Sequence, residues 1–230
     1  MFSNFDFDII IRSLPYLFFT GMTFTLTLTA LAAAGGVVLG TLLALMRLSG
    51  FAPLALPAAG YVNLMRSIPL VLLIFWFYFL VPYIGQWITR SAAPIQVGAF
   101  TSTLVTFTLL EAAFFCEIMR AGIQSIPRGQ VAAAQALGMG YATTMAYIVL
   151  PQAFRNMVPV LLTQTIVLFQ DTSLVYVISV TDFLGAASKV AQRDGRLVEM
   201  YLFAACVYFV ISLVASRAVQ RLQRRVAIIR

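Results

Sequence analysis

The chain has 230 residues, 61% of them hydrophobic and 10% charged, with a formal charge of +7 and no histidine. A soluble domain carries about 25% charged residues, so this composition belongs to a bilayer-spanning protein. The missing histidine removes the commonest metal ligand and the usual general base, and no GxxxxGK[ST] loop is present to cradle a phosphate.

The N-terminus, "MFSNFDFDIIIRSLPYLFF", carries two aspartates and no basic leader, so it is expected to stay on the mature protein rather than act as a secretory signal. Ser13 to Met46 holds no charge, and a first span is predicted over Pro15–Met46. A second is predicted over Pro57–Leu80, with the aromatic "FYFLVPY" at an interface and Pro82 as the exit. A third follows over Val97–Arg120, a fourth over Asn156–Val180 and a fifth over Val198–Ser216. Five is odd, so the termini are expected on opposite faces. Arg47, Arg66, Arg120, Arg128, Arg155, Arg217, Arg221, Arg224, Arg225 and Arg230 fall on one side. Arg12, Arg90, Lys189, Arg193 and Arg196 fall on the other, mixed with Asp6, Asp8, Asp182, Asp194 and Glu199. Positive charge unopposed by acid marks a cytoplasmic face, which predicts the N-terminus outside and the C-terminus inside. The basic excess is thus explained by topology rather than by nucleic acid. Cys116 and Cys206 lie in apolar runs without a CxxC and read as packing residues.

Between the third and fourth spans, "GQVAAAQALGMGYATTMAYIVLPQAF" is rich in small residues. It parses as a short helix, a Gly138 break, then "YATTMAYIV" closed by Pro151. On physics alone this is either an elbow that docks in a partner's groove or a loop packed on its own helices.

The spacing of Ala133, Ala134, Gly138, Ile148, Leu150 and Pro151 resembles the cytoplasmic signature of bacterial ABC importer permeases: EAA, three residues, Gly, nine residues, then I-x-L-P. "RAGIQSIPRGQ", "LPQAFRNMVP" and "RSIP" are similar to the polar amino-acid branch, and "VLFQDTSLVYVIS" to its glutamate/aspartate permeases. The signature's glutamate is replaced by Ala132, and the literal EAA at Glu111–Ala113 lies in the third span without the downstream spacing. The resemblance implies an all-α membrane protein with the type I ABC importer permease fold, one transmembrane domain over 1–230 with a core over 15–217. It implies a cytoplasmic coupling-helix loop over 121–155 that sits in a cleft of a cytoplasmic ABC ATPase dimer. ATP and Mg would bind that ATPase, with no cofactor on this chain. A sister or identical permease, an external solute-binding protein and the lipid of a cell inner membrane complete the implied partners.

Of eight acids, Glu111, Glu117 and Asp171 fall within the spans. A carboxylate at mid-membrane costs about 2.5–3.5 kcal/mol on insertion scales, so each needs a partner, water or an interface. Glu117 has Arg120 at i,i+3, a structural ion pair. Glu111 either lines a pathway or makes an inter-helix hydrogen bond. Asp171 opens the polar break "QDTS", where Asp171, Thr172 or Ser173 is a candidate to cap a restarted half-helix lining a substrate path. Asp171 or Glu111 would meet a substrate ammonium, and free N–H groups near Thr172 and Ser173 a carboxylate. The GxxxG at Gly36–Gly40 predicts close helix packing. A stand-alone ion-coupled amino-acid carrier is the competing function, although no internal repeat supports it. An intramembrane enzyme lacks its usual parts, with an Asp171–Glu111 dyad as the one arrangement left.

Overall fold

A computed structural model describes residues 5–226; Arg230, counted above in the basic tail, lies outside the described residues. Among the described residues all regular structure is helical, and five stretches are long and apolar enough to cross a membrane. They are Phe7–Leu48, Leu70–Thr89, Ala99–Gln124, Tyr141–Ile178 and Leu197–Arg225.

Helix α1 (Phe7–Tyr16) starts ahead of the predicted Pro15 because Asp6 caps it, accepting from the amides of Asp8 at 2.9 Å and Ile9 at 3.3 Å. A π-helical turn over Leu17–Met22 leads into α2 (Thr23–Leu48). The predicted second span proves to be parts of two runs. Helix α3 (Ala52–Ser67) stops at Ile68, and Pro69 adopts φ −58°, ψ 133° before α4 (Leu70–Phe75). A proline lacks the donor and pushes its predecessor out of the helical region, which is why the apolar run breaks there.

Pro82 and Pro151, both expected to end helices, instead lie within continuing ones. Each is preceded by a π-helical turn, Trp76–Leu80 and Met145–Val149. The amides of Val81 and Leu150, one residue before each proline, reach back five residues to the carbonyls of Trp76 and Met145. The wider turn gives slack where the proline's missing N–H and bulky ring would strike the ordinary ladder. Helix α5 (Val81–Thr89) therefore extends the second apolar run, and α9 (Leu150–Asp171) continues α8 (Tyr141–Thr144), so the helical stretch that carries the fourth crossing begins at Tyr141, well before the predicted Asn156. The remaining helices are α6 (Ala99–Gln124), α7 (Arg128–Ala136), α10 (Phe183–Asp194) and α11 (Leu197–Val226).

Two compact units divide the chain. The first draws on Met1–Ala34, Ile68–Thr108 and Val167–Val214. Its apolar cores gather Leu17, Phe169, Phe183, Ala187 and Met200 in one cluster, and Leu28, Ile74, Phe107, Leu168 and Val175 in another. Gly21 lets α10 approach: a Cβ there would sit 2.9 Å from both Ala186 Cβ and Phe183 Cα. The second unit draws on Gly35–Ser67, Leu109–Ile166 and Ala215–Arg230. Within it Gly36 and Gly40 let α2 lie against α6. A Cβ on Gly40 would stand 2.9 Å from the Ala112 carbonyl oxygen and 3.0 Å from the Cys116 nitrogen.

Candidate functional site

The elbow lies wholly in the second unit. Helix α7 ends in paired reverse bonds: the Met139 amide donates to the Ala134 carbonyl at 3.1 Å, and the Gly138 amide to the Gln135 carbonyl at 2.9 Å. This Schellman geometry requires a left-handed residue just past the cap, and Gly138 supplies it at φ +80°. Nothing lies within 4 Å of where a Gly138 side chain would begin, so the glycine answers a backbone need rather than a crowded site.

A small core of Ile126, Val149 and Ala153, joined by Ile123, Val131 and Met145, fixes the two arms to the end of α6. Gln152 Nε2 donates to Gln130 Oε1 at 2.6 Å, tying α9 to α7, and Asn156 Nδ2 donates to Ser125 Oγ at 2.8 Å. Of the six signature positions, Ala134 is buried in this frame and Ile148 is half-buried, while Ala133, Gly138, Leu150 and Pro151 are exposed. The outer surface also presents Leu137, Tyr141, Tyr147 and Phe154, exposed by 82%, 77%, 75% and 60%. Sequence reasoning passed over these four because single apolar residues in so hydrophobic a chain carry no contrast.

Glu117 and Arg120 pair across one turn of α6, and Arg120 also donates to Gln124. Arg47, from the end of α2, adds a second cation to the same carboxylate, with Nη1 2.5 Å from Glu117 Oε2. That partner was not legible, because 70 residues separate the two in the chain. Glu111 is buried in the second unit, and its Oε1 accepts from Gln164 Nε2 on α9 at 3.1 Å. The lone Gln164 in "VLLTQTIVLF" was the available signal for that inter-helix bond.

Asp171, Thr172 and Ser173 belong to the first unit. The structure corrects the expected half-helix here. Helix α9 runs through Asp171 in ordinary helical geometry and tightens into a 3₁₀ segment, Thr172–Ile178, with no side-chain cap. The backbone is continuous at this point, so no orphan amides are left for Asp171 to cap or for an anion to meet. Thr172 is buried and its hydroxyl donates to the Phe169 carbonyl at 2.7 Å. Asp171 is half-buried and makes no ion pair or hydrogen bond through its side chain among the described residues. The chain turns at Ser179, which takes the left-handed φ of 62°.

The cap that sequence reasoning sought at Asp171 stands at Asp182. Its carboxylate accepts from the Leu184 amide at 3.0 Å and the Gly185 amide at 2.8 Å, starting α10. Burial pushes this carboxyl up to about 6, against the lowering effect of the Gly185 and Leu184 amides and the Tyr208 hydroxyl. The Thr25 hydroxyl takes the Phe183 amide at 3.0 Å, so the turn is bonded from α2 as well. In the same unit Asp6, Ile9, Arg12, Ser13, Arg193, Asp194 and Arg196 line a cleft of about 440 Å³. Among the described residues no group of His, Cys, Asp and Glu is arranged to hold a metal ion.

Comparison with known proteins adds to this geometry. The family of binding-protein-dependent transport system inner membrane components matches residues 36–228. The chain is similar to the glutamate/aspartate import permease protein GltK of Escherichia coli O6:H1, at 55% identity over 97% of this chain and 99% of that protein. It is similar at 34% identity to the probable glutamine ABC transporter permease protein GlnM of Bacillus subtilis, over 91% and 93% of the two chains. The crystal structure of an amino acid ABC transporter with histidines superposes with a TM-score of 0.88 at 33% identity, over 96% of this chain and 98% of that one. An inward-facing structure of the MetNI methionine ABC transporter shares the fold, with a TM-score of 0.71 at 20% identity over 96% and 98% of the chains.

Proposed function

This chain belongs to the family of inner-membrane components of binding-protein-dependent transport systems, and on that premise we propose that it moves glutamate and aspartate inward as the permease subunit of an ATP-driven importer. The observation that carries the transport reading is the elbow. A short helix, a glycine-dependent turn and a second arm are bonded into one frame that holds large apolar side chains outward. Such a frame transmits force by shape and needs no chemistry of its own.

In this reading residues 121–155 are the cytoplasmic loop, received by a cytoplasmic ABC ATPase dimer that binds the ATP and Mg. A sister or identical permease completes the translocation path, and an external solute-binding protein delivers the substrate. The distribution of arginines supports an N-terminus outside and a C-terminus inside. The likeness to the glutamate/aspartate permease supports the substrate class. Asp171, half-buried without an ion pair, is assigned to the path, where its carboxylate suits a substrate ammonium. Ser173 lies beside it, while Thr172 is engaged with its own backbone. The Gln164 bond favours the inter-helix role for Glu111 over path lining. Nothing favours the stand-alone carrier.

The test is uptake of labelled glutamate into proteoliposomes holding this permease with its co-purifying ATPase and binding protein. ATP inside the liposome analogue of the cytoplasm must drive accumulation. Uptake driven by a sodium or proton gradient with no ATPase present would overturn the proposal.

A further inference from the structure

We infer that the elbow docks against an acidic surface: its partner presents carboxylates to Arg128 and Arg155 around an apolar seat for Leu137, Tyr141 and Phe154. This rests on the reading that the elbow receives an ATPase, and it states the chemistry of that contact. Between Ile118 and Gln170 the chain has no acid, and its charged residues there are Arg120, Arg128 and Arg155. Arg120 is held by Glu117 and Gln124. Arg128 and Arg155 are exposed and form no ion pair among the described residues.

Their positions are specific. Arg128 is the first residue of α7, whose N-terminus has no side-chain cap. A cation there adds to the positive end of the helix dipole and is unfavourable until an anion arrives. Retention on a cytoplasmic face needs an arginine somewhere in the loop and does not need one at that position. Arg155 follows Phe154, an exposed ring, along the outer arm. The elbow thus carries exposed apolar side chains and rings together with two exposed arginines, and its sequence holds no carboxylate to repel an acidic partner. Interfaces commonly join an apolar core to a charged rim in this way, and rim charges govern association rate and salt dependence.

The test uses the native complex, isolated in mild detergent, with the retained ATPase quantified by mass spectrometry as sodium chloride is raised from roughly 50 to 500 mM. The wild-type complex is expected to lose ATPase with salt. Arg128→Gln with Arg155→Gln is expected to lower retention at low salt about tenfold and flatten the salt response, and lysine at both positions to restore most of it. Leu137→Asp, at an exposed site, probes the seat itself, with membrane insertion of every variant checked in parallel. If the glutamine pair behaves as wild type while Leu137→Asp releases the ATPase, the acidic surface is refuted and the proposed function stands. If Leu137→Asp also leaves the ATPase bound, the elbow is not the docking site and the underlying reading falls.

Discussion

Replacement of Gly138 separates backbone shape from bulk at the elbow. The residue sits at φ +80°, and a Cβ built on it meets nothing within 4 Å. Any loss on substitution in the isolated chain therefore comes from the left-handed backbone, which costs an L-residue about 1–2 kcal/mol. Asparagine visits that region more readily than most residues, whereas a β-branched residue there is a severe outlier. The expected order of tolerance is Gly138→Asn above Gly138→Ala above Gly138→Val, even though asparagine is larger than alanine. Since about 1.4 kcal/mol is a factor of ten in population, alanine is expected to deplete the docking-competent elbow about tenfold and valine more than that. Strain falls first on the Met139–Ala134 and Gly138–Gln135 bonds that close α7. The assay is ATP-driven glutamate uptake in proteoliposomes, with insertion measured alongside. Wild-type uptake by the valine variant would refute the backbone argument. An order set by side-chain size would show instead that a partner packs against Gly138 itself.

The other predictions use different parts of the fold. Gly40→Ala is expected to destabilise the second unit by about 1–3 kcal/mol, because its Cβ would meet backbone atoms of Ala112 and Cys116 at 2.9 and 3.0 Å. Gly60→Ala, in α3 with open space around it, is expected to stabilise by up to about 1 kcal/mol, so denaturant titration in detergent should give opposite signs. Asp182 has a folded value raised from 3.8 to about 6, so the fold holds a proton that the unfolded chain releases. Its favourable contribution is complete below the unfolded value and lost as pH rises through 6, a span of about 3 kcal/mol in all, with about 1 kcal/mol recovered on going from pH 7 to 5. Asp182→Asn should remove that pH dependence from thermal unfolding, and a curve unchanged from wild type would exclude Asp182 as its source. Asp171→Asn is expected to leave insertion and assembly intact while lowering glutamate uptake at least about tenfold, the effect of one lost charge-assisted contact; unchanged uptake and specificity would remove Asp171 from the path.

The crossings were legible because about 20 consecutive apolar residues admit few other readings in a bilayer. Their ends were not, and proline explains most of the difference. Pro69 looked like part of a run and breaks it, while Pro82 and Pro151 looked like stops and lie within helices. What decides between these outcomes is whether a π turn forms upstream, and neither composition nor periodicity reports that. Gly138 was legible because its place in a Schellman end is a local backbone demand. Arg47 beside Glu117 and Gln164 beside Glu111 were not, because such pairs exist only once distant helices are side by side.

The eight acids differ in what holds them. Asp6 and Asp182 cap helices, Glu111 takes a glutamine amide, and Glu117 lies between two arginines. Asp194 pairs with Arg193, Glu199 with Arg196, and Asp8 is exposed. Asp171 remains: half-buried, within a membrane-crossing stretch, and with no ion pair or side-chain hydrogen bond among the described residues. A carboxylate so placed is costly unless water or a ligand reaches it. Its helix does not break at this point, so its own backbone offers no free amides as compensation. Under the proposed function a substrate ammonium would supply that compensation transiently, which suits transport better than a permanent ion pair would. A fixed cation would satisfy Asp171 and leave a substrate nothing to replace.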